Sequence, residues 1–471
     1  MKSELTELKS EVALLKALIK ELLAENAALK EKIADLEARL KKNSQNSSKP
    51  PSSDGLSKPP RGQRQQSLRE KGKKKTGGQK GHAGKTLSRV TAPDHVITHA
   101  LSVCSECFKD LSGIPCLETE SRQVFDIPAP KLEVTEHRIE IKICPCCQEK
   151  TKAQFPDFVS APVQYGSNIQ AWSVYLQHRQ FIPEARLQET FEDLVGVHIS
   201  TATLSSFSVS LYESLEKFEA SVLDHVAQAP VKHLDETGFR IGGQTQWRHV
   251  ASTAEGTYYH VSPKRKSLLE GLMGVVVHDH WKPYFQLENV LHALCNAHHL
   301  RELNALIENK ERWARHMKRF LLFGLALQKH HGESPISPEK LNRYLAGYDR
   351  IVRKGLAFHE AMEPLPKKIG RGKQARRTGH NLLLRFKNYR DAVLRFLIDP
   401  EVPFTNNLAE QDIRMMKCKQ KISGGFRTFT GAMQFARIRG FLSTARKQGW
   451  NMMTALRKTL MGDELMIGQS P

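Results

Sequence analysis

Three acidic residues in this chain have neighbours that would let them serve one metal-dependent reaction. Val231-Lys232-His233-Leu234-Asp235-Glu236-Thr237-Gly238 reads as a short strand ending in a carboxylate, with strand-like sequence resuming over 239–241 and 247–251. Gly274-Val275-Val276-Val277-His278-Asp279 is a buried apolar strand that again ends on an aspartate. Far downstream, 406–414 reads as the start of a helix, with Glu410 on one face between Asn406 and Arg414. Lys417 and Lys421 extend that face and could meet phosphates. Carboxylates supply the hard oxygen that Mg²⁺ or Mn²⁺ requires. Two such ions about 4 Å apart can activate an attacking hydroxyl and steady a leaving oxygen in phosphoryl transfer. Any one of these acids alone reads as well as a turn residue. Their order, with a long insertion before the glutamate, is what points to a shared site.

A second constellation is made of cysteines. Cys104-Ser105-Glu106-Cys107 and Cys144-Pro145-Cys146-Cys147 are two C-x-x-C knuckles separated by 36 residues, a spacing at which four thiolates can close a tetrahedral Zn²⁺ site. Ile139, Ile141 and Ile143 alternate on a strand that would deliver Cys144. Cys116 and Cys146 are spare, and Cys147 is preferred to Cys146 as a ligand on spacing alone. Cys295 and His298 lie three apart at a strand-to-helix junction. With no second ligand pair near them in sequence, they read as packing residues.

These groups need elements to position them. Leu8, Leu15, Leu22, Leu29 and Leu36 recur every seven residues, and Leu5, Val12, Ile19, Asn26, Ile33 and Leu40 fill the matching positions. β-Branched residues at a, Leu at d and one polar a residue, Asn26, favour a parallel two-stranded coiled coil. The g/e′ pairs Glu4 with Lys9, Glu11 with Lys16, Glu25 with Lys30 and Lys32 with Glu37 are all complementary. Leu18 with Leu23 widens the stripe, which leaves a higher oligomer or a docking partner open. A Ser-, Asn- and Pro-rich linker follows, then a basic arm containing Lys73, Lys74, Lys75 and Lys80 that could track phosphates without reading sequence. From Ser167 to Val226 the chain reads as helical. That stretch is either a helix-turn-helix whose second helix is capped by Ser200 or an ordinary packing bundle. The block from Trp313 to Phe396 is also helical.

The charge supports a polyanionic partner. The net charge is +21, yet residues 43–90 carry 12 Lys/Arg against 2 acids, 365–395 carry 10 against 1, and 411–471 carry 11 against 3, so the remainder is acidic. Basicity is therefore confined to particular surfaces, which favours nucleic acid. The longest apolar run, Phe320 to Leu327, is too short for a membrane span, and the charged start fits no signal peptide. Eight cysteines with five in two tight clusters suit a reducing compartment. A cytoplasmic, nucleoid-associated protein is expected.

Five motifs occur in one order: Asn46-Ser47-Ser48-Lys49-Pro50-Pro51-Ser52-Ser53-Asp54, Gly77-Gly78-Gln79-Lys80-Gly81-His82, the paired knuckles, Asp235-Glu236-Thr237 with Cys295-Asn296-Ala297-His298, and Asn406-Asn407-Leu408-Ala409-Glu410. In these, over nearly its whole length, the chain resembles the insertion sequence 66 family of DDE transposases. The resemblance implies a catalytic triad of Asp235, Asp279 and Glu410, two Mg²⁺ (or Mn²⁺) ions, and binding to terminal inverted repeats of double-stranded DNA. It also implies small accessory proteins from the same element. Gln411 stands where the family usually has Arg, and His280-Trp281 where it usually has Gly-Tyr. The expected architecture is a multidomain α+β chain. It has a coiled coil (1–42), a basic linker and DNA-binding arm (43–91), a zinc ribbon (92–160) and a helical, DNA-binding region (161–228). A ribonuclease H-like α/β catalytic core follows in two parts (229–312 and 399–471) around a helical insertion (313–398). The expected state is at least a homodimer. The competing reading is a non-catalytic DNA-binding regulator derived from such an enzyme.

Overall fold

The computed structural model describes residues 2–40, 87–332, 334–365 and 374–471. Lys73, Lys74, Lys75 and Lys80 of the basic arm lie outside them. The chain divides into two compact units, Gln63–Glu133 and the remainder. In the smaller unit, Cys104 opens a tight turn closed by its amide on the Lys109 carbonyl at 2.9 Å. In the larger unit, α1 (Lys2–Leu40) is one long helix, and β1 (Ile141–Ile143) pairs antiparallel with β2 (Lys150–Lys152) around the second knuckle.

The helical stretch begins with α2 (Ser167–Val174), which runs into a π-helical turn at Tyr175–Arg179, followed by α3 (Glu184–Val195), α4 (Thr201–Ser214) and α5 (Glu216–Gln228). The expected cap is present: the Ser200 hydroxyl accepts from the Thr203 amide at 3.1 Å. Leu187 and Phe191 of α3 and Leu204, Phe207 and Leu211 of α4 are buried in one core.

Next come β3 (Val231–Ile241), β4 (Gln244–Ser252), β5 (Thr257–Ser262), β6 (Gly274–His278), a 3₁₀ turn at Lys282–Gln286, and β7 (Val290–Leu294). They form a mixed sheet in the order β5-β4-β3-β6-β7, with β3, β4 and β5 antiparallel and β6 and β7 parallel to β3. Gly242 and Gly243, at φ 55° and 81°, make the two-residue turn that lets β3 run straight back as β4. Asp235 is therefore inside an eleven-residue strand and not at a strand tip, which corrects the sequence reading. The neighbouring strand still leaves it free. β3 pairs with β6 only as far as His233.

The remaining elements are α6 (Asn296–Glu308), α7 (Arg312–His331), α8 (Pro338–Glu360), α9 (Thr378–Asn388), α10 (Arg390–Ile398), α11 (Asn407–Ser423), α12 (Phe429–Lys447) and α13 (Met452–Leu460). The sheet is covered on both faces, which is why β6 is almost continuously apolar. Val275 and Val277 point into a core shared with α6 to α10, whereas Val276 points into the core of α2 to α5, α12 and α13.

Gly274 starts β6 at φ 72°, and a Cβ there would lie 2.5 Å from the Pro230 carbonyl oxygen. Gly274→Ala combines a left-handed backbone with a clash against main chain, so it should destabilise the protein by about 2 kcal/mol or more. Urea unfolding of the variant checks this; an unchanged midpoint would mean that β6 can shift freely.

Candidate active site: carboxylates at the carboxyl edge of the sheet

The parallel registers bring the chemistry together. His233 is opposite Val277 and His278 is opposite Leu294. Continued past the paired residues, the same registers set Asp235, within β3, level with Asp279 and Cys295, which follow the carboxyl ends of β6 and β7, the side on which open α/β sheets bind their ligands. Glu410 reaches this edge from the first turn of α11.

The start of α11 is fixed by Asn406. Its side chain donates to the Leu234 carbonyl at 2.7 Å and meets His233 Nδ1 at 2.9 Å, while its amide donates to Cys295 Sγ at 3.1 Å. Asn406 thus ties the helix to β3 and to the residue after β7 instead of capping its own helix. The Glu410 carboxylate lies 3.9 Å from His298 Nδ1, 3.8 Å from the Arg301 guanidinium and 4.0 Å from Cys295 Sγ. Cys295 is buried as a packing residue would be, and the neighbour it shares with His298, Glu410, is 115 residues from it in sequence.

Glu236 was missed. Its side chain is almost fully buried and accepts from Arg265 at 2.6 Å and from the Tyr284 hydroxyl at 2.5 Å. Arg265 is in turn stacked over Trp247 and Trp281 at 4.8 and 4.4 Å. The one signal in sequence was the adjacent Asp-Glu pair. A cleft of about 240 Å³ opens beside Asp279, walled by Trp281, Cys295, His298 and, from the helices before α11, Arg385. Arg385 is held by Glu302 at 2.6 Å.

Electrostatics make this cluster costly in the absence of a cation. Burial, then repulsion by Glu236, Asp279 and Glu410, holds the Asp235 carboxyl well above the usual range. Burial and then Glu236 push Asp279 up to about 6. Burial raises Glu410 against the opposing pull of Arg301 and Arg414. Buried, mutually repelling hard oxygens are what a divalent cation neutralises, so the donor set suits a divalent metal ion.

A pH prediction follows. A carboxyl whose folded pKa is raised favours the folded state below its unfolded value, and that contribution is lost as pH rises through the folded value. For Asp279 the window runs from its ordinary 3.8 to about 6. A divalent cation held by these oxygens would compete with the protons there. The rise in melting temperature on adding Mg²⁺ should therefore be larger at about pH 7.5 than at about pH 5. Scanning calorimetry at both values measures it, and equal increments would speak against a cation at these oxygens.

The basic residues of α11 divide. Arg414 and Lys421 are exposed. Lys417 is engaged, donating to the Gly238 carbonyl at 2.6 Å. The cysteine knuckles are alike, each in its own unit. Cys104 and Cys144 accept backbone N–H bonds from within their loops and a side-chain bond from Cys107 and Cys147 respectively, which lowers both thiols, as suits metal-binding thiolates. Phe108 and Gln148 hold matching left-handed conformations at φ 59° and 58°.

A mixed sheet that gathers carboxylates at its parallel edge, preceded by a cysteine pair of zinc-knuckle shape, defines the class as a multidomain α/β protein with a zinc finger and an acidic site. The family model described as "Transposase IS66 family" matches residues 162–434, more than half of the chain. The chain belongs to that family of transposases. The model of the "zinc-finger binding domain of transposase IS66" matches 102–148, across both knuckles, which supports a structural Zn²⁺, and a family of unknown function matches 3–88. The chain is also similar to "Uncharacterized protein y4jO" of Sinorhizobium fredii, 28% identical over 130 residues, covering 24% of this chain and 39% of that protein. No helix among the described residues is long and apolar enough to cross a membrane.

Proposed function

We propose that the chain is the transposase of an insertion sequence, binding the terminal inverted repeats of its element and catalysing DNA cleavage and strand transfer. The observation that carries this reading is the level placement of Asp235 and Asp279 at the sheet edge, with Glu410 delivered to the same edge by α11. These three carboxylates would hold two Mg²⁺ or Mn²⁺ ions, which supply an activated hydroxyl and a stabilised leaving oxygen. The chain's own contribution is to fix the oxygens: β3 and β6 set the aspartates, and Asn406 sets the helix that bears the glutamate. Three antiparallel strands followed by two parallel ones, with the first acid on the central strand, support a ribonuclease H-like core.

The surrounding parts serve DNA. Arg414 and Lys421 face solvent on the Glu410 helix, and the arm with Lys73, Lys74, Lys75 and Lys80 would add contacts that do not depend on sequence. Cys104, Cys107, Cys144 and Cys147 would hold the structural Zn²⁺. In α1, Leu15, Ile19, Leu22, Leu29, Ile33 and Leu36 leave a seam about half exposed, which supports pairing with a second copy as a parallel coiled coil.

The test is joining of labelled terminal-repeat DNA to a target by the purified full-length protein with Mg²⁺. Joined product is expected. A protein that binds the ends tightly and joins nothing would be the regulator instead.

A further inference from the structure

We infer that Cys295, His298 and Glu410 form a further cation site for a thiophilic divalent ion of the Zn²⁺ class, overlapping the acidic cluster through Glu410. Its effect on catalysis rests on the role proposed above for Glu410; its existence does not. One ligand atom from each residue lies within 4.8 Å of the other two, and this trio is the one such group among the described residues. The sulfur and the imidazole nitrogen are 4.0 and 3.9 Å from the same carboxylate oxygen. Zinc bond lengths of about 2.0–2.3 Å in a tetrahedron put neighbouring ligands roughly 3.3–3.6 Å apart. Bringing the sulfur and the nitrogen to that spacing thus requires each to approach the carboxylate oxygen by roughly half an ångström.

Two further observations point to a ligand. His298 Nδ1 is buried and has no hydrogen-bond partner, a condition that normally demands one. Cys295 Sγ already accepts the Asn406 amide at 3.1 Å, the kind of outer bond that orients a metal-binding thiolate. Cys295 precedes α6 and His298 lies in its first turn, so both are held on a rigid element. Three protein ligands leave a fourth position for water, and binding would release the thiol proton to solvent.

The donor set separates the two metals. Sulfur and imidazole suit Zn²⁺ and are poor ligands for Mg²⁺, which takes the aspartate oxygens. Both ions need Glu410. A zinc-class ion would draw that carboxylate toward α6, displacing Arg301, and withdraw it from Asp235 and Asp279. The site would then act as a reversible brake on the magnesium reaction.

The experiment measures tightly bound zinc per chain in full-length protein kept reduced, for the wild type, Cys295→Ser, His298→Gln and Asp235→Asn, with joining assayed in parallel. Cys295→Ser and His298→Gln should each bind one equivalent fewer than wild type, while Asp235→Asn keeps the full complement. His298 is partly exposed, so its variant answers the question if Cys295→Ser does not fold. Equal zinc in wild type and in His298→Gln would overturn the inference even if joining is robust. Joining by Asp235→Asn at the wild-type rate would overturn the active-site reading whatever the zinc count.

Discussion

Asp235→Asn, Asp279→Asn and Glu410→Gln should each reduce strand joining by on the order of a thousandfold or more, because several kcal/mol of metal-supplied stabilisation disappear with the ligand. An amide keeps the shape of a carboxylate and loses its charge, so the site would no longer hold Mg²⁺ in the required number or place. Binding to terminal repeats should survive, since the basic arm and the cysteine knuckles are separate from these oxygens in sequence. Arg414→Ala and Lys421→Ala should behave in the opposite way. Both side chains are exposed on α11, and each phosphate contact removed should weaken binding and reduce the salt slope by about 1. Lys417→Ala should matter less for salt dependence, because its ammonium is already bound to the Gly238 carbonyl. Band-shift and joining assays on the same labelled DNA separate the two effects. Near-normal joining by Asp279→Asn would remove the assigned site.

The parts of this site that were legible from sequence are those carried by local pattern. The apolar run of β6 ends at the aspartate because the strand is buried on both faces until it emerges at the sheet edge. The cap at Ser200 could be read because capping chemistry is local. The sequence suggests a strand end at Asp235 because the polar residues after it hide a central strand that continues, paired with β4, to the Gly242-Gly243 turn. The surroundings of Cys295 could not be read, since its neighbours come from β6 and from the start of α11 and meet it only in the folded sheet. Buried charges were equally hidden. Arg248 and Lys232 are wholly inaccessible, although sequence reasoning assigns such residues to the surface. Arg248 lies 3.5 Å over the Tyr259 ring, a contact that only strand pairing creates.

A second buried charge gives the other large expected effect, this time on stability. Asp412 lies two residues beyond Glu410 and turns the other way, into the seam between the sheet and α12. Its carboxylate accepts from Ser252 at 2.5 Å, Thr257 at 3.0 Å, Ser443 at 3.1 Å and the Lys447 ammonium at 2.9 Å. One side chain thereby locks α11 to β4, β5 and α12, and so holds the helix that presents Glu410. Both partners are nearly buried, at 14% and 12% side-chain exposure. Asp412→Ala would leave Lys447 without its counter-charge, and breaking such a pair from one side costs about 3–5 kcal/mol. Lys447 keeps the Thr253 and Gly256 carbonyls at 2.8 and 3.1 Å, which places the expected loss toward the lower end of that range. The pH dependence has a definite sign. Burial pushes the Asp412 carboxyl up, but Lys447 and the hydroxyl donors outweigh it and bring the pKa below its ordinary 3.8. A depressed folded value stabilises the protein above the unfolded pKa, and that stabilisation is lost as pH falls through the folded one. Urea unfolding should therefore show the wild type and Asp412→Ala well separated at neutral pH and converging as the pH falls below the ordinary carboxyl value of 3.8. A separation that stays constant across this range would mean that packing at Asp412, and not its charge, holds α11 in place.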